Sequence, residues 1–238
     1  MSASSTLDLL WGSPQRPKRG PKPSLTLERI VGEAITLADA EGLANLSMQR
    51  LAERLGCAKM ALYRYVPGKT ELTALMLDAA MGAPPPPAPA AHAWRDDLRA
   101  WSETIFDRML AHPWALELSN GVRPMGPNEI AWLESALAAL AESPLTGAER
   151  LDTVVLLLGH VRSLVQQIGP ADADDDLESR LAEQIGQVMA AHAERFPHVV
   201  AAFADQAADP AAVRNDALTF GIDRILDGIA ALIADRAR

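Results

Sequence analysis

Between Leu46 and Lys69 the chain reads LSMQRLAERLGCAKMALYRYVPGK, and this stretch constrains the fold more tightly than any other. Met48, Leu51, Ala52 and Leu55 recur at the three-and-four spacing of an amphipathic helix, with Gln49, Arg50, Glu53 and Arg54 on its wet side. Ala52 is small where two helices must cross closely, and Gly56 supplies the permissive backbone of a sharp turn. A second short helix is predicted from Ala58 to Tyr65, closed by Pro67-Gly68. If Ala61 and Leu62 face inward, Lys59, Met60, Tyr63 and Arg64 project outward, with Tyr65 at the end. A cation, an apolar tip and two phenols on a slender exposed helix suit the base edges and phosphates of a DNA major groove.

The flanking sequence supplies a floor and a boundary. From Thr26, an N-cap, to Glu41, the residues Leu27, Ile30, Val31, Ala34, Ile35 and Ala38 form one helical face, ended by Gly42. A further helix opens at Lys69 with Leu72, Leu75, Met76 and Ala79 along one face. Gly82 then leads into Ala83-Pro84-Pro85-Pro86-Pro87-Ala88-Pro89, which no helix can contain. Past this run the pattern is helical throughout. Helices are expected near 92–111, 127–142, 147–168, 174–195, 198–207 and 211–235, divided by His112-Pro113, Gly121–Pro127, Ser143-Pro144, Gly169-Pro170 and Pro210. No run alternates with period two, so the fold class is all-α, an N-terminal helix-turn-helix module followed by a helical bundle. The expected organisation is a flexible basic arm over 1–25, the head over 26–82, a proline-rich linker over 83–91 and the body over 92–238.

Charge is divided along the same line. Ten basic residues against five acidic ones leave Arg16 to Lys69 at +5 within a chain of net charge −9. A basic module on an acidic body is expected where one end meets phosphate. Arg16, Lys18, Arg19 and Lys22 sit among prolines on a stiff arm that could follow a minor groove. No apolar run is long enough to span a membrane and no apolar signal core opens the chain, so a cytoplasmic protein without membrane contact is expected. Cys57 is the single cysteine, which excludes an internal disulfide and a cysteine metal cluster.

Leu46-Ser47-Met48, Leu51 to Gly56, Ala61 to Val66 and Lys69 resemble, in register, the DNA-binding domain of the TetR family of transcriptional repressors. The resemblance implies a double-stranded operator as partner. Carried over by position, Lys59 and Met60 would lie deepest in the groove, Tyr63 on a base or sugar, and Arg64 on a base or phosphate. Tyr65, Lys69 and Ser47 would meet the backbone, and Gln49 phosphate or a base. The departure is Ala58, where many members place a capping serine or threonine. The resemblance also implies a homodimer built on two helices per subunit. The two most apolar segments, 151–168 and 218–233, are the candidates, through Val154, Leu158, Val161, Leu218, Ile222, Ile225 and Ile229. Gly221 and Gly228 would let helices approach closely there. Two recognition helices would then lie about 34 Å apart.

A small-molecule inducer, unidentified, is implied for the body. Candidate lining residues are Trp101, Ile105, Met109, Trp114, Trp132, His160, Leu164 and Gln167. The body resembles that of the tetracycline repressor loosely. Ser119-Asn120-Gly121-Val122-Arg123-Pro124 lacks the histidine that precedes the Arg-Pro pair there, so tetracycline is not the expected ligand. The five histidines are scattered, and no HExxH, GxSxG or phosphate-binding loop occurs. Asp172, Asp174, Asp175 and Asp176 lack the central glycine and final glutamate of a calcium loop. The chain therefore reads as a ligand-released repressor with neither catalytic activity, metal nor cofactor. The alternative is a helical ligand-binding or scaffold protein whose N-terminal hairpin contacts another protein.

Overall fold

Caps set the helices of the head. In the computed structural model, which describes residues 6–12, 25–87, 94–168, 183, 186, 187, 192–208 and 217–237, a short helix α1 (Thr6–Trp11) precedes α2 (Leu27–Glu41). Thr26 Oγ1 accepts from the Arg29 amide and starts α2. Ser47 does the same for α3 (Met48–Leu55) through Arg50. At its other end Gly56, at φ 65° and ψ 35°, allows Cys57 N–H to reach Ala52 O and Gly56 N–H to reach Glu53 O, a Schellman closure. Ion pairs from Arg50 to Glu41 and from Arg54 to Glu33, each 2.5 Å, clamp α3 on α2.

The second helix of the motif is shorter than its sequence predicts. α4 covers Lys59–Leu62, and Tyr63 to Tyr65 continue as a turn. Ala58 offers no side-chain cap at its start, and at the other end the amides of Tyr65 and Val66 both converge on Leu62 O. α5 (Lys69–Met81) then runs from head to body and packs on α2 and α1.

The body comprises α6 (Trp94–Ala111), α7 (Trp114–Leu118), α8 (Pro127–Ala139), α9 (Gly147–Gln167), α10 (Pro197–Ala208) and α11 (Ala217–Arg236). α6, α9 and α11 form its centre, with α8 against α5, α6 and α9. Thr146 and Glu149 make a reciprocal capping box at the start of α9. Arg95 and Arg99 reach from α6 to Asp223 and Asp227 on α11, and Arg236 reaches Glu149. No described helix is long and apolar enough to cross a membrane. The basic arm residues Arg16, Lys18, Arg19 and Lys22, the aspartates of 172–176 and most of the helix expected at 174–195 lie outside the described residues.

The register of α9 and α11 places the residues expected at a dimer interface within the protomer's own packing. Val154, Val161, Ile222 and Ile229 are buried within the protomer, while Leu158, Leu218 and Ile225 are half-buried against its core. They pack between α9, α11 and α6, the contacts that hold the body together. The outward faces carry Leu151, Val155, Leu156 and Phe220 instead, all exposed, together with Gly159 and Gly228. A helix apolar around its whole circumference does not say which stripe turns inward.

Candidate nucleic-acid interface and ligand cavity

Leu62 and Val66 are fully buried and fix the orientation of the turn between them. The opposite face carries Lys59, Met60, Tyr63 and Arg64, all exposed, with Met60 at 71%. Lys59 Nζ lies 5.8 Å from the Tyr63 ring centroid, so the cation and the phenol support one another on the surface. Gln49 donates to Glu53 Oε1 at 2.7 Å along α3. Two residues assigned to DNA backbone also have structural partners. The Tyr65 hydroxyl donates to Leu25 O at 2.9 Å, and Lys69 Nζ donates to Leu43 O at 3.4 Å. Tyr65 thereby pins the chain where the basic arm meets α2.

Within the body lies a cavity of about 460 Å³. Its wall is mostly apolar: Leu77 and Met81 from α5, Trp101, Ile105 and Met109 from α6, Trp132 and Leu133 from α8, Val154 and Leu158 from α9. Trp101 donates through Nε1 to Trp132 O at 2.8 Å, Trp132 donates to Gly82 O at 2.8 Å, and the rings meet edge to face at 5.9 Å. Both indole N–H groups are thus satisfied by backbone, which leaves the ring surfaces for an apolar guest. The polar part of the wall comes from the 119–125 loop and its surroundings: Ser119, Arg123, Glu129 and Arg162. Arg123 grips Glu129 with both terminal nitrogens, one at 2.8 Å.

Four of the eight sequence candidates for ligand contact, Trp101, Ile105, Met109 and Trp132, come together on this wall. Trp114, His160, Leu164 and Gln167 do not. His160 Nε2 is 3.2 Å from Leu218 O and its ring lies against Gly221, in the α9–α11 seam. Trp114 is buried at the head–body joint and donates to Asp39 Oδ1 at 2.7 Å. Gln167 turns back to its own helix at Ser163 O.

The joint itself was missed by sequence reasoning. Asp39 on α2 also meets His112 Nδ1 at 2.9 Å. Asp78 on α5 is buried and accepts from the amides of Asn128 and Glu129 at 2.9 and 3.2 Å, which makes it the N-terminal cap of α8. Burial raises its carboxyl above the ordinary value, against the lowering pull of those two amides. An acid amid the apolar residues of α5 was the one available signal. Trp11 Nε1 donates to Met125 O at 3.0 Å, so α1 touches the loop that walls the cavity.

The chain matches two family models. Residues 30–76 match the bacterial regulatory proteins of the tetR family, and residues 86–233 match the tetracyclin repressor-like C-terminal domain. It is 37% identical to the HTH-type transcriptional repressor DrrR1 of Streptomyces coeruleorubidus, over 97% of this chain and 87% of that protein. Among solved structures, apo ActR from Streptomyces coelicolor superposes with TM-score 0.74 at 25% identity, covering 90% of this chain and 99% of ActR. ActR in complex with actinorhodin gives TM-score 0.71 at 25% identity, over 88% and 98%.

Proposed function

Since the chain belongs to the TetR family of bacterial regulatory proteins, we propose that it is a cytoplasmic repressor that grips operator DNA as a homodimer and releases it on binding a small molecule. The observation that carries this reading is the exposed quartet Lys59, Met60, Tyr63 and Arg64 above a buried Leu62 and Val66. In this reading the head spans 26–82 and the body 92–238, joined by the linker at 83–91. Lys59 donates to guanine acceptors, Met60 meets a thymine methyl, and Tyr63 and Arg64 hold sugar, base or phosphate. Ser47, Tyr65, Lys69 and the arm from Arg16 to Lys22 add backbone contacts, which position the head, and Gln49 meets phosphate or a base. The dimer forms through the outward faces of α9 and α11, where Val155, Leu156 and Phe220 await cover. The inducer occupies the cavity between Trp101, Met109 and Trp132. Its mostly apolar wall suits a large aromatic guest, and ActR, similar in fold, is solved in complex with actinorhodin.

Operator binding measured across a salt series tests the head. Affinity for the chain's own promoter-proximal DNA falls steeply with salt, and Lys59→Ala and Tyr63→Ala each cost roughly 1–3 kcal/mol at low salt. Weak, unselective binding indifferent to both substitutions would point to a protein partner for this hairpin instead.

A further inference from the structure

Among the described residues, the charge on the cavity wall does not balance. Arg123 is neutralised by Glu129, whose carboxylate also accepts from the Gly126 amide at 3.2 Å. Arg162, one helical turn beyond Leu158 on α9, lines the same space, and its guanidinium donates to the side-chain oxygen of Asn120, a neutral acceptor. Among the described residues, two guanidinium groups and one carboxylate therefore face a wall that is otherwise uncharged. A full positive charge with a neutral partner, beside a low-dielectric cavity, favours an anion strongly.

We propose that the effector is an aromatic anion, a flat apolar body bearing one carboxylate, sulfonate or ionised phenol, and that Arg162 reads its charge. The proposal rests on the reading of this cavity as the effector site. The rings fill the space between Trp101, Met109 and Trp132, and the acidic group reaches the guanidinium at the loop end. Binding exchanges the neutral Asn120 acceptor for an ionised one, which strengthens the bond at the same donor. It also takes from the 119–125 loop one of its ties to α9. That loop carries Arg123, whose partner Glu129 stands in the first turn of the helix capped by Asp78 of α5. The charge reader is thus three contacts from the helix that leads to the head: Arg162 to Asn120, Arg123 to Glu129, and the α8 amides to Asp78. Uncharged aromatics of the same shape fill the space but leave Arg162 on Asn120.

A matched pair of fluorescent probes decides the matter: 8-anilinonaphthalene-1-sulfonate and its uncharged counterpart N-phenyl-1-naphthylamine. Both are titrated into the full-length protein, into Arg162→Met and Arg162→Lys, and into Ile105→Trp, which fills the cavity. The wild type binds the sulfonate more tightly than the neutral probe. Arg162→Met loses roughly tenfold or more for the sulfonate and stays within about twofold for the neutral probe, while Arg162→Lys retains part of the preference. Ile105→Trp weakens both, which places them in the cavity. If both probes bind and Ile105→Trp excludes them, yet Arg162→Met leaves their ratio unchanged, the charge reading is overturned and the cavity reading stands. If Ile105→Trp leaves both bindings intact, or neither probe binds the wild type, the cavity reading fails and the charge reading with it.

Discussion

At Gly56 the backbone turns through φ 65° with open space where a side chain would begin. Gly56→Ala therefore meets no neighbour, and its cost is purely that of holding an L-residue in the left-handed region, about 1–2 kcal/mol, read as a lowered midpoint in urea. Asp78 sits in a different balance. Burial raises its carboxyl above 3.8, so the folded state holds the proton more firmly than the unfolded chain does. Its titration favours folding below the unfolded value and loses that contribution as the pH rises through the raised folded one. An amide keeps an acceptor for the Asn128 and Glu129 N–H groups without the buried charge. Asp78→Asn therefore gains on the wild type in melting temperature between pH 4 and pH 7. Asp78→Ala, which strips the cap from α8, loses about 1–3 kcal/mol at both. Glu149 and Asp227 titrate in the opposite sense. The Thr146 amide and hydroxyl, then Arg236, hold Glu149 below 4.5, and Arg95, then Arg224, hold Asp227 below 3.8. Their contributions are present above those unfolded values and fade as the pH falls through the lower folded ones. Melts below pH 4.5 should show this loss, reduced in Glu149→Gln.

Among the elements, helices with one clear apolar face and a glycine at the end were legible from sequence: α2 from Thr26 to Gly42, and α3 up to Gly56. Elements defined by distant partners were not. α1 has six residues, and its packing on α5, the burial of Leu10 and the bond from Trp11 to Met125, more than a hundred positions away, give it a place. The ligand wall was half legible, because large apolar residues on α6 and α8 serve core and cavity alike. Arg162 and Glu129 carried no local signal, since each gains its meaning from the 119–125 loop folding over α9. The register of the outer face was hidden for a related reason. α9 and α11 are apolar all round, so periodicity marked them as covered without telling cover by their own chain from cover by a second. Exposure separates the two, with Val155 at 66% and Phe220 at 59%. Val155→Glu should therefore break the dimer in sedimentation while the isolated protomer keeps its helical circular dichroism, since the residue lies outside the protomer core. Val161→Glu, on the buried stripe, should instead lose the fold itself.

For the whole molecule the question is how a guest in the body moves a head that reads DNA. Several contacts cross between them, Arg108 to Ala80 O and Trp132 to Met81 O among them. α1 rests on α5 and ties Trp11 to the cavity loop, Asp78 holds α8 on α5, and Asp39 of α2 holds the corner where α6 gives way to α7. Asp39 acts on α2, the floor beneath the reading helix. Asp39→Ala leaves the buried Trp114 indole N–H without its acceptor and costs roughly 1–3 kcal/mol of stability. Trp114→Phe removes the donor, and with it some ring area. In the double variant neither polar group is stranded, so the losses are smaller than their sum, by about 0.5–3 kcal/mol in the cycle. A coupling of that size belongs to a joint that transmits force, because a change of tilt in α7 must then either move α2 or break the bond. The functional counterpart follows directly. With Asp39→Ala and Trp114→Phe combined, the head should bind operator with near wild-type affinity, since neither residue lies on the exposed face. The aromatic sulfonate that fills the cavity should bind as before, yet release less DNA at saturation. Strict additivity of the two losses, together with undiminished release, would shift the transmitting role to Asp78 and α8.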